Sequence, residues 1–228
     1  MFTKIVRELT VAAKTGGGQP ENNPRLRKAI DDAKAANMPG DNVKKAILRG
    51  TGELPGVNYE DVTYEGYGPN GAAVFLTGTT DNRNRTTSEI RKIFSNHNGN
   101  LGAPGCVAWM FESKGHLIVE KKAWSDEDKL MTLAIDAGGE DFKTEDPDVY
   151  EVVTSQSDFE KVKGALEAAK VPLASAEITM LPQNYVTLSG KDAEQMIAMM
   201  DELENHDDVK DIFANADIPQ EIMDKAGS

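Results

Sequence analysis

The stretch DFEKVKGALEAA, residues 158–169, decides how the middle of this 228-residue chain is interpreted. Phe159, Val162, Leu166 and Ala169 recur at intervals of three and four residues. That spacing places apolar side chains on one face of a helix with 3.6 residues per turn. The pattern therefore predicts an amphipathic helix that packs its apolar face on a neighbouring layer.

The segments on both sides of this helix complete a recognisable order. A second helix is predicted at residues 126–137, and strands are predicted at residues 117–120, 140–144 and 149–153 and from Ala176 to Met180. Strand–helix–strand–strand–helix–strand is the order of a ferredoxin-like βαββαβ fold. We therefore predict a ferredoxin-like domain over residues 114–181.

Further towards the N-terminus the pattern is that of a hairpin followed by a helix. Apolar alternation from Val62 and again from Ala73, around the Gly- and Pro-containing stretch 66–71, predicts two antiparallel strands. Thr86 and Glu89 form a capping-box pattern ahead of an apolar helical stripe that runs to His97. Alternation at residues 107–111 predicts the start of another strand, entered by Cys106.

The first 49 residues predict three helices. Gly and Pro in GGGQP, residues 16–20, end the first helix, and Asn23 followed by Pro24 begins the second. Residues 38–41 separate the second helix from a third, which Asp41 is expected to cap. A Gly- and Pro-containing linker follows at residues 50–56.

Three domains are predicted from this order. They are a helical basic domain at residues 1–56, a middle α+β domain at residues 57–113 plus 182–228, and the inserted ferredoxin-like domain at 114–181. In the tail, a strand at 185–188, a helix and a strand at 209–213 are expected to complete the sheet begun by the hairpin. The fold class is thus multidomain α and α+β.

Composition and motifs argue against several functional classes. The apolar content is 39%, and no apolar run approaches the roughly 18 residues of a membrane span. A single cysteine excludes an internal disulfide, and the three histidines have no metal-ligand spacing. P-loop and nucleophile-elbow motifs are missing. We expect a cytoplasmic, non-enzymatic protein with no cofactor, no metal, no membrane contact and no small-molecule substrate.

The charge of the chain is split along its length. Residues 1–56 carry 10 Lys and Arg against 6 Asp and Glu, whereas residues 182–228 carry 3 against 11, and the total is −13. Contacts with a partner depend on local charge, because salt screens charges beyond about 8–10 Å. The basic start of the chain is therefore the expected nucleic-acid-facing part.

Two groups of basic residues are candidate contacts to phosphate. In the helical domain they are Lys4, Arg7, Lys14, Arg25, Arg27, Lys28, Lys44, Lys45 and Arg49. The first two and Lys14 share one helix face, and Arg25 shares another with Lys28. The alternative interpretation is a solvated helix face that binds nothing.

Arg83 and Arg85 form the second group, beside a helix N-terminus, where phosphate binds well. A salt-bridge role explains the same two residues equally well, since the chain from residue 114 onwards is strongly acidic. Both interpretations remain open at the level of sequence.

Several longer motifs resemble one known family. They are FTKI (2–5), NPRLR (23–27), NMP (37–39), GTGE (50–53), YEGYGP (64–69), TDNRNRT (80–86), GNLG (99–102) and VAWMF (107–111). The chain is similar along its whole length to the YebC family, described as transcriptional regulatory proteins. That family also includes the mitochondrial translational activator of cytochrome oxidase subunit I.

The resemblance implies a three-domain fold, no enzymatic activity, a cytoplasmic location in bacteria and nucleic acid as the partner. Family members are assigned either to DNA and promoters or to ribosomal RNA and the ribosome, so a DNA-binding regulator and a ribosome-associated translation factor are both expected candidates. Members carry a further basic stretch ahead of the FTKI motif, whereas Met1 directly precedes Phe2 here. With that arm missing, whether from the natural chain or from this sequence, we expect weaker binding to nucleic acid.

Overall fold

The structure is a computed structural model that describes the backbone of residues 2–226 and the side chains of residues 2–223. The described chain forms two compact units. One comprises the residues up to Trp109 together with those from Asn184 onwards, and the other comprises Met110–Gln183. The mixed α and β architecture that the sequence predicts is confirmed.

The three helices predicted for residues 1–49 are confirmed as α1 (Phe2–Gly16), α2 (Pro24–Ala35) and α3 (Gly40–Gly50). We call them the three-helix module. Their apolar faces meet in one core, formed by Leu9, Ala12, Ala13, Leu26, Ala29, Ala33, Met38 and Ala46. The prediction that Asp41 caps α3 is wrong, because Pro39 stands at the cap and Asp41 lies in the first turn.

Asn23 joins the first two helices. Its side-chain oxygen accepts a hydrogen bond from the Leu26 amide at 3.0 Å and so caps α2, as predicted. Its side-chain amide donates to the Ala12 carbonyl at 2.7 Å and to the Gly17 carbonyl at 2.8 Å. One buried asparagine thus satisfies backbone groups at the end of α1 and at the start of α2.

A four-stranded sheet follows in the same unit. Strands β1 (Glu60–Tyr67) and β2 (Ala73–Thr80) form the predicted hairpin, with Tyr67 opposite Ala73. Strand β3 (Asn100–Leu101) pairs with β1, and β9 (Val209–Ala214) pairs with β2, so the order is β3-β1-β2-β9. We call residues 57–109 and 184–226 the sheet module.

Two helices and the end of the chain cover this sheet. Helices α4 (Arg83–Asn96) and α7 (Gly190–Glu204) supply the core residues Ile90, Phe94, Met196, Met199 and Leu203. The predicted strand at 185–188 does not join the sheet. Its residues form β8 (Val186–Thr187), which pairs in parallel with β10 (Ala216–Asp217) ahead of α8 (Gln220–Ala226). Only the strand at 209–213 extends the hairpin sheet as expected.

The second unit contains six elements in the order βαββαβ. They are β4 (Phe111–Glu120), α5 (Glu127–Ala137), β5 (Gly139–Lys143), β6 (Val149–Thr154), α6 (Phe159–Ala168) and β7 (Leu173–Pro182). The strands form one antiparallel sheet in the order β5-β6-β4-β7. Phe159, Val162 and Leu166, the residues that predicted α6, are all buried in the core of this unit.

Two predicted features of the sheet module are wrong. The N-cap of α4 is Asn82, whose side-chain oxygen accepts from the Arg85 amide, and Thr86 is buried inside the helix. Residues 107–109 do not begin a strand, since a 3-10 helix at Ala108–Met110 precedes β4, and Cys106 lies in a bend.

Glu65 explains the missing strand. This side chain is only 6% exposed, and its carboxylate accepts the backbone N–H groups of Gly105, Val107 and Ala108 at 2.6–2.8 Å. Amides that donate to one carboxylate cannot donate to a neighbouring strand, so the segment folds into a loop around it. Burial opposes ionisation of Glu65, but these three donors hold its pKa below the ordinary value of 4.5.

We predict that Glu65→Gln destabilises the protein by about 1–3 kcal/mol at pH 7, because an amide cannot accept all three N–H groups. The folded-state pKa of Glu65 is depressed, so its contribution is complete above pH 4.5 and is lost as the pH falls through the folded-state pKa. The difference in unfolding free energy between wild type and variant, measured by urea denaturation, should shrink on acidification. Glu194→Gln, at an exposed carboxylate, is the matched control and should change stability by less than about 0.5 kcal/mol. A Glu65→Gln loss equal to that of the control would contradict the prediction.

Candidate nucleic-acid interface

The predicted basic face of α1 faces the sheet module. Lys4 donates to the Glu204 carbonyl, and Arg7 pairs with the Asp208 carboxylate. Lys14 donates to the Asn58 side-chain oxygen at 2.6 Å and to the Tyr59 carbonyl at 3.1 Å. The three residues do share a face, as their spacing predicts, but oxygens of this chain already occupy their positive charges.

Asp208 is the centre of the contact made by Arg7. Its side chain is 2% exposed and accepts from Arg85 at 2.7 Å and from the hydroxyls of Thr80 and Thr86. Burial opposes its ionisation, but the Thr86 and Arg85 hydrogen bonds and the charge of Arg7 hold its pKa below 3.8. The Arg7 guanidinium also lies over the Tyr59 ring, with 5.6 Å between Cζ and the ring centroid. One buried carboxylate therefore connects α1, β2 and α4.

Arg25 lies between two carboxylates. Its guanidinium contacts Glu8 in a fork, at 2.8 and 3.0 Å, and contacts Asp61 in a second fork, at 2.7 and 2.8 Å. Lys210 of β9 reaches Glu8 as well, at 3.3 Å. The Arg25 hydrogen bonds lower the pKa of Asp61, and Arg25 and Lys210 lower that of Glu8 against the effect of burial. This group joins α1 and α2 to β1 and β9.

Arg83 and Arg85 both form ion pairs. Arg83 contacts Glu60 at 3.1 Å, and Arg85 contacts Asp81 at 2.9 Å in addition to Asp208. These pairs match the salt-bridge interpretation of the two arginines. A role in phosphate binding stays a prediction for both.

The remaining basic residues are more exposed. Lys28 pairs weakly with Asp32 one turn later, at 3.1 Å. Arg27 donates to the carbonyls of Pro20 and Glu21. Within the described part of the chain, the side chains of Lys44, Lys45 and Arg49 have no hydrogen-bond or ion-pair partner, and all three residues are exposed.

Arg27 and the end of α3 both contact the loop between α1 and α2. Gly18 approaches Ile47 and Thr51 at the end of α3, and the next residues of that loop bind Arg27. We define the α3 basic surface as Arg27, Lys44, Lys45 and Arg49. Within the described residues, these four side chains form no ion pair with a carboxylate and do not contact the sheet module.

An open cleft of about 620 Å³ lies beside Asp208, between α4 and the end of α7. Its lining includes Arg7, Arg85, Lys92, Asn96, His206 and Asp208. Among the described residues no group of three His, Cys, Asp or Glu side chains is arranged to hold a metal ion. No helix in the described range is both long enough and apolar enough to cross a bilayer.

The acidic partners are not among the residues predicted from the sequence. Asp208 lies 201 positions from Arg7, and Glu8 and Asp61 lie 17 and 36 positions from Arg25. No local motif marks them, since they are scattered among 38 acidic residues. These three acidic residues can be identified only from the tertiary structure.

The fold and this surface define a class: a two-unit α and β protein with a basic three-helix module at its start. The family model described as "TACO1/YebC protein N-terminal domain" matches residues 1–53, and that described as "TACO1/YebC second and third domain" matches residues 59–216. The chain belongs to the TACO1/YebC family.

Relatives with similar sequences carry one name. A "Probable transcriptional regulatory protein" of Endomicrobium trichonymphae is 57% identical over 99% of this chain and 90% of its own length. A protein of the same name from Dictyoglomus turgidum is 52% identical over 98% of this chain and 89% of its own length. A crystal structure of a conserved hypothetical protein from Aquifex aeolicus matches with a TM-score of 0.79 and 46% identity, over 96% of this chain and 89% of that one.

We predict that Asp208→Asn lowers the unfolding free energy by about 3 kcal/mol at pH 7, because it leaves Arg7 and Arg85 without their shared buried carboxylate. Asp207→Asn, at the exposed neighbouring carboxylate, is the matched control and should cost less than about 0.5 kcal/mol. Since the folded-state pKa of Asp208 is depressed, the stabilisation is complete above pH 3.8 and is lost as the pH falls below it. Chemical denaturation at several pH values measures both effects, and equal losses in the two variants would refute the role of Asp208.

Proposed function

We propose that this protein is a non-enzymatic regulator of gene expression that binds DNA through its three-helix module. The observation that carries the proposal is the α3 basic surface, where the exposed side chains of Lys44, Lys45 and Arg49 have no ion-pair partner among the described residues. The name shared by the relatives, probable transcriptional regulatory protein, supports the same function. In this proposal the direct phosphate contacts come from those three residues and Arg27.

The other predicted contacts have a secondary role in this proposal. Lys4, Arg7, Lys14, Arg25, Arg83 and Arg85 are bound to oxygens of this chain, and Lys28 pairs with Asp32. A cation already bonded to a carboxylate contributes little to phosphate affinity until that bond is exchanged. Binding by the α3 basic surface alone should therefore be modest and should depend steeply on salt concentration.

The proposal extends to domain organisation and location. We propose a helical domain at residues 1–56, a middle domain at 57–113 plus 182–228, a ferredoxin-like domain inserted at 114–181, and residence in the cytoplasm. The two family models, which divide the chain between residues 53 and 59, support the first boundary. Three separate hydrophobic cores support three domains.

We predict that the triple variant Lys44→Ala/Lys45→Ala/Arg49→Ala binds duplex DNA about tenfold more weakly than wild type at near-physiological salt. The slope of log affinity against log salt should become shallower by about two to three, since each lost phosphate contact removes about 0.9. Fluorescence anisotropy with a labelled duplex measures both quantities.

A matched control removes three positive charges elsewhere. Lys122, Lys161 and Lys191 are exposed and lie outside the three-helix module, so their joint replacement by Ala gives the same net charge. It should leave affinity and slope close to wild type. Equal weakening by the two triple variants would count against the α3 basic surface.

The same proteins should be tested for co-sedimentation with ribosomes and for binding to single-stranded RNA. Tighter, α3-dependent binding to ribosomes than to any duplex would replace the DNA assignment with that of a ribosome-associated factor. Equally tight binding to promoter and unrelated duplexes would contradict sequence-specific regulation.

A further inference from the structure

The contact between the three-helix module and the sheet module includes four basic side chains. Lys4, Arg7, Lys14 and Arg25 project from α1 and α2, and each contacts an oxygen of the sheet module. Those oxygens belong to Glu204, Asp208, Asn58, Tyr59 and Asp61. Four cations that the sequence predicts to meet phosphate thus meet backbone carbonyls, an amide oxygen and carboxylates.

The geometry of these contacts is the geometry of phosphate recognition. Arg25 presents its planar fork to two pairs of carboxylate oxygens, at 2.7–3.0 Å. Phosphate oxygens are bound by arginine in the same two-pronged way. The Asp61 side chain is 50% exposed, so this pair lies at the rim of the contact, where a competing anion has access.

The surface opposite α1 has the charge of a polyanion. Asp61, Glu204, Asp207 and Asp211 are exposed around the buried Asp208. Lys210 is the exception in this group, and it pairs with Glu8 of α1. An acidic surface that binds a basic helix face competes directly with nucleic acid for that face.

The two modules have separate hydrophobic cores. Within the described residues, the core of the three-helix module contains only residues of that module, and the core of the sheet module contains none from α1–α3. Exposed ion pairs contribute only about 0–1 kcal/mol each and weaken in salt. The charged part of the contact therefore consists of exchangeable ion pairs at its rim and of the Arg7–Asp208 pair at its centre.

The connection between the modules allows them to separate. Residues 51–58 are all exposed and belong to no helix or strand, and Gly52 has a positive φ of 83°. An exposed segment of this length leaves α3 and β1 joined by backbone alone. Movement of the three-helix module would break no element of secondary structure.

From these observations we infer that the α1–α2 face (Lys4, Arg7, Lys14 and Arg25) is a second polyanion-binding surface, held closed by acidic residues of the sheet module. A phosphate backbone that first contacts the α3 basic surface exchanges with these carboxylates and opens the contact. This inference rests on the proposed function. The closed state reduces the measured affinity by the fraction of molecules that are open.

The test keeps all four cations and removes the two carboxylates that bind Arg25. Glu8→Gln/Asp61→Asn should bind duplex DNA about fivefold more tightly than wild type, because a larger fraction of molecules is open. Its salt slope should be steeper by about two, corresponding to about two additional phosphate contacts. Asp192→Asn/Glu194→Gln removes the same charge from exposed positions on α7 and should leave the slope unchanged.

Glu8 is half-buried, so its replacement could disturb the fold. The single variant Asp61→Asn changes only an exposed carboxylate and therefore leaves Glu8 intact. It should still bind duplex DNA about twofold more tightly than wild type, with a steeper salt slope. Affinity and slope that match the charge control in both variants would overturn the inference.

Opening itself is measured by the distance between the two modules. Spin labels at Lys34→Cys on α2 and Asp192→Cys on α7, in a Cys106→Ser background, report that distance by pulsed electron resonance. Saturating duplex should shift or broaden the distance distribution, and an unchanged narrow distribution would overturn the inference.

If the wild type binds duplex through α3 while the distance stays fixed, only this inference fails. If neither wild type nor the opened variant binds DNA or RNA, the proposed function fails with it.

Discussion

The buried carboxylate of Asp208 is the contact on which the arrangement of the first unit depends. It lies just before β9 and accepts hydrogen bonds from β2, from α4 and from Arg7 of α1. Its neutral replacement would leave the largely buried guanidinium of Arg7 without the carboxylate that it shares with Arg85. A buried carboxylate is most stable when all its partners are in place, so in the closed state the positions of α1 and α4 are tied to that of β9.

Local patterns predicted the elements of this fold well where a feature acts within one segment. Asn23 before Pro24 gave the correct start of α2, and the apolar spacing around Leu166 gave α6, because capping and helix faces are set by neighbours in sequence. The predictions failed where a distant group intervened. Thr86 has the sequence of a cap but donates to Asp208, and residues 107–111 alternate like a strand but the amides of Val107 and Ala108 donate to Glu65.

The candidate site was predictable only in part, for the same reason. The sequence identifies every lysine and arginine and groups Lys4 with Arg7 on one face, but it carries no sign of what that face meets. The sequence does not distinguish a lysine or arginine that is paired with a carboxylate from one that is surrounded by water. The two differ greatly in their availability for binding phosphate. The distinction between the α1 face and the α3 basic surface follows from Asp61 and Asp208, which lie far away in the chain.

A net charge of −13 is usually taken as evidence against nucleic-acid binding. The ion pairs of the first unit suggest a different consequence of that charge. In the proposed function, the acidic residues that bind the basic face of α1 act as an intramolecular competitor, and an external polyanion must overcome their effective concentration to replace them. Short or isolated phosphates cannot do so, because they replace one ion pair at a time, whereas a continuous backbone replaces several in register. The resulting selectivity for long polyanions depends on competition from the acidic surface as much as on attraction to the basic residues. It would be lost if the acidic surface were neutralised, even though every basic residue remained.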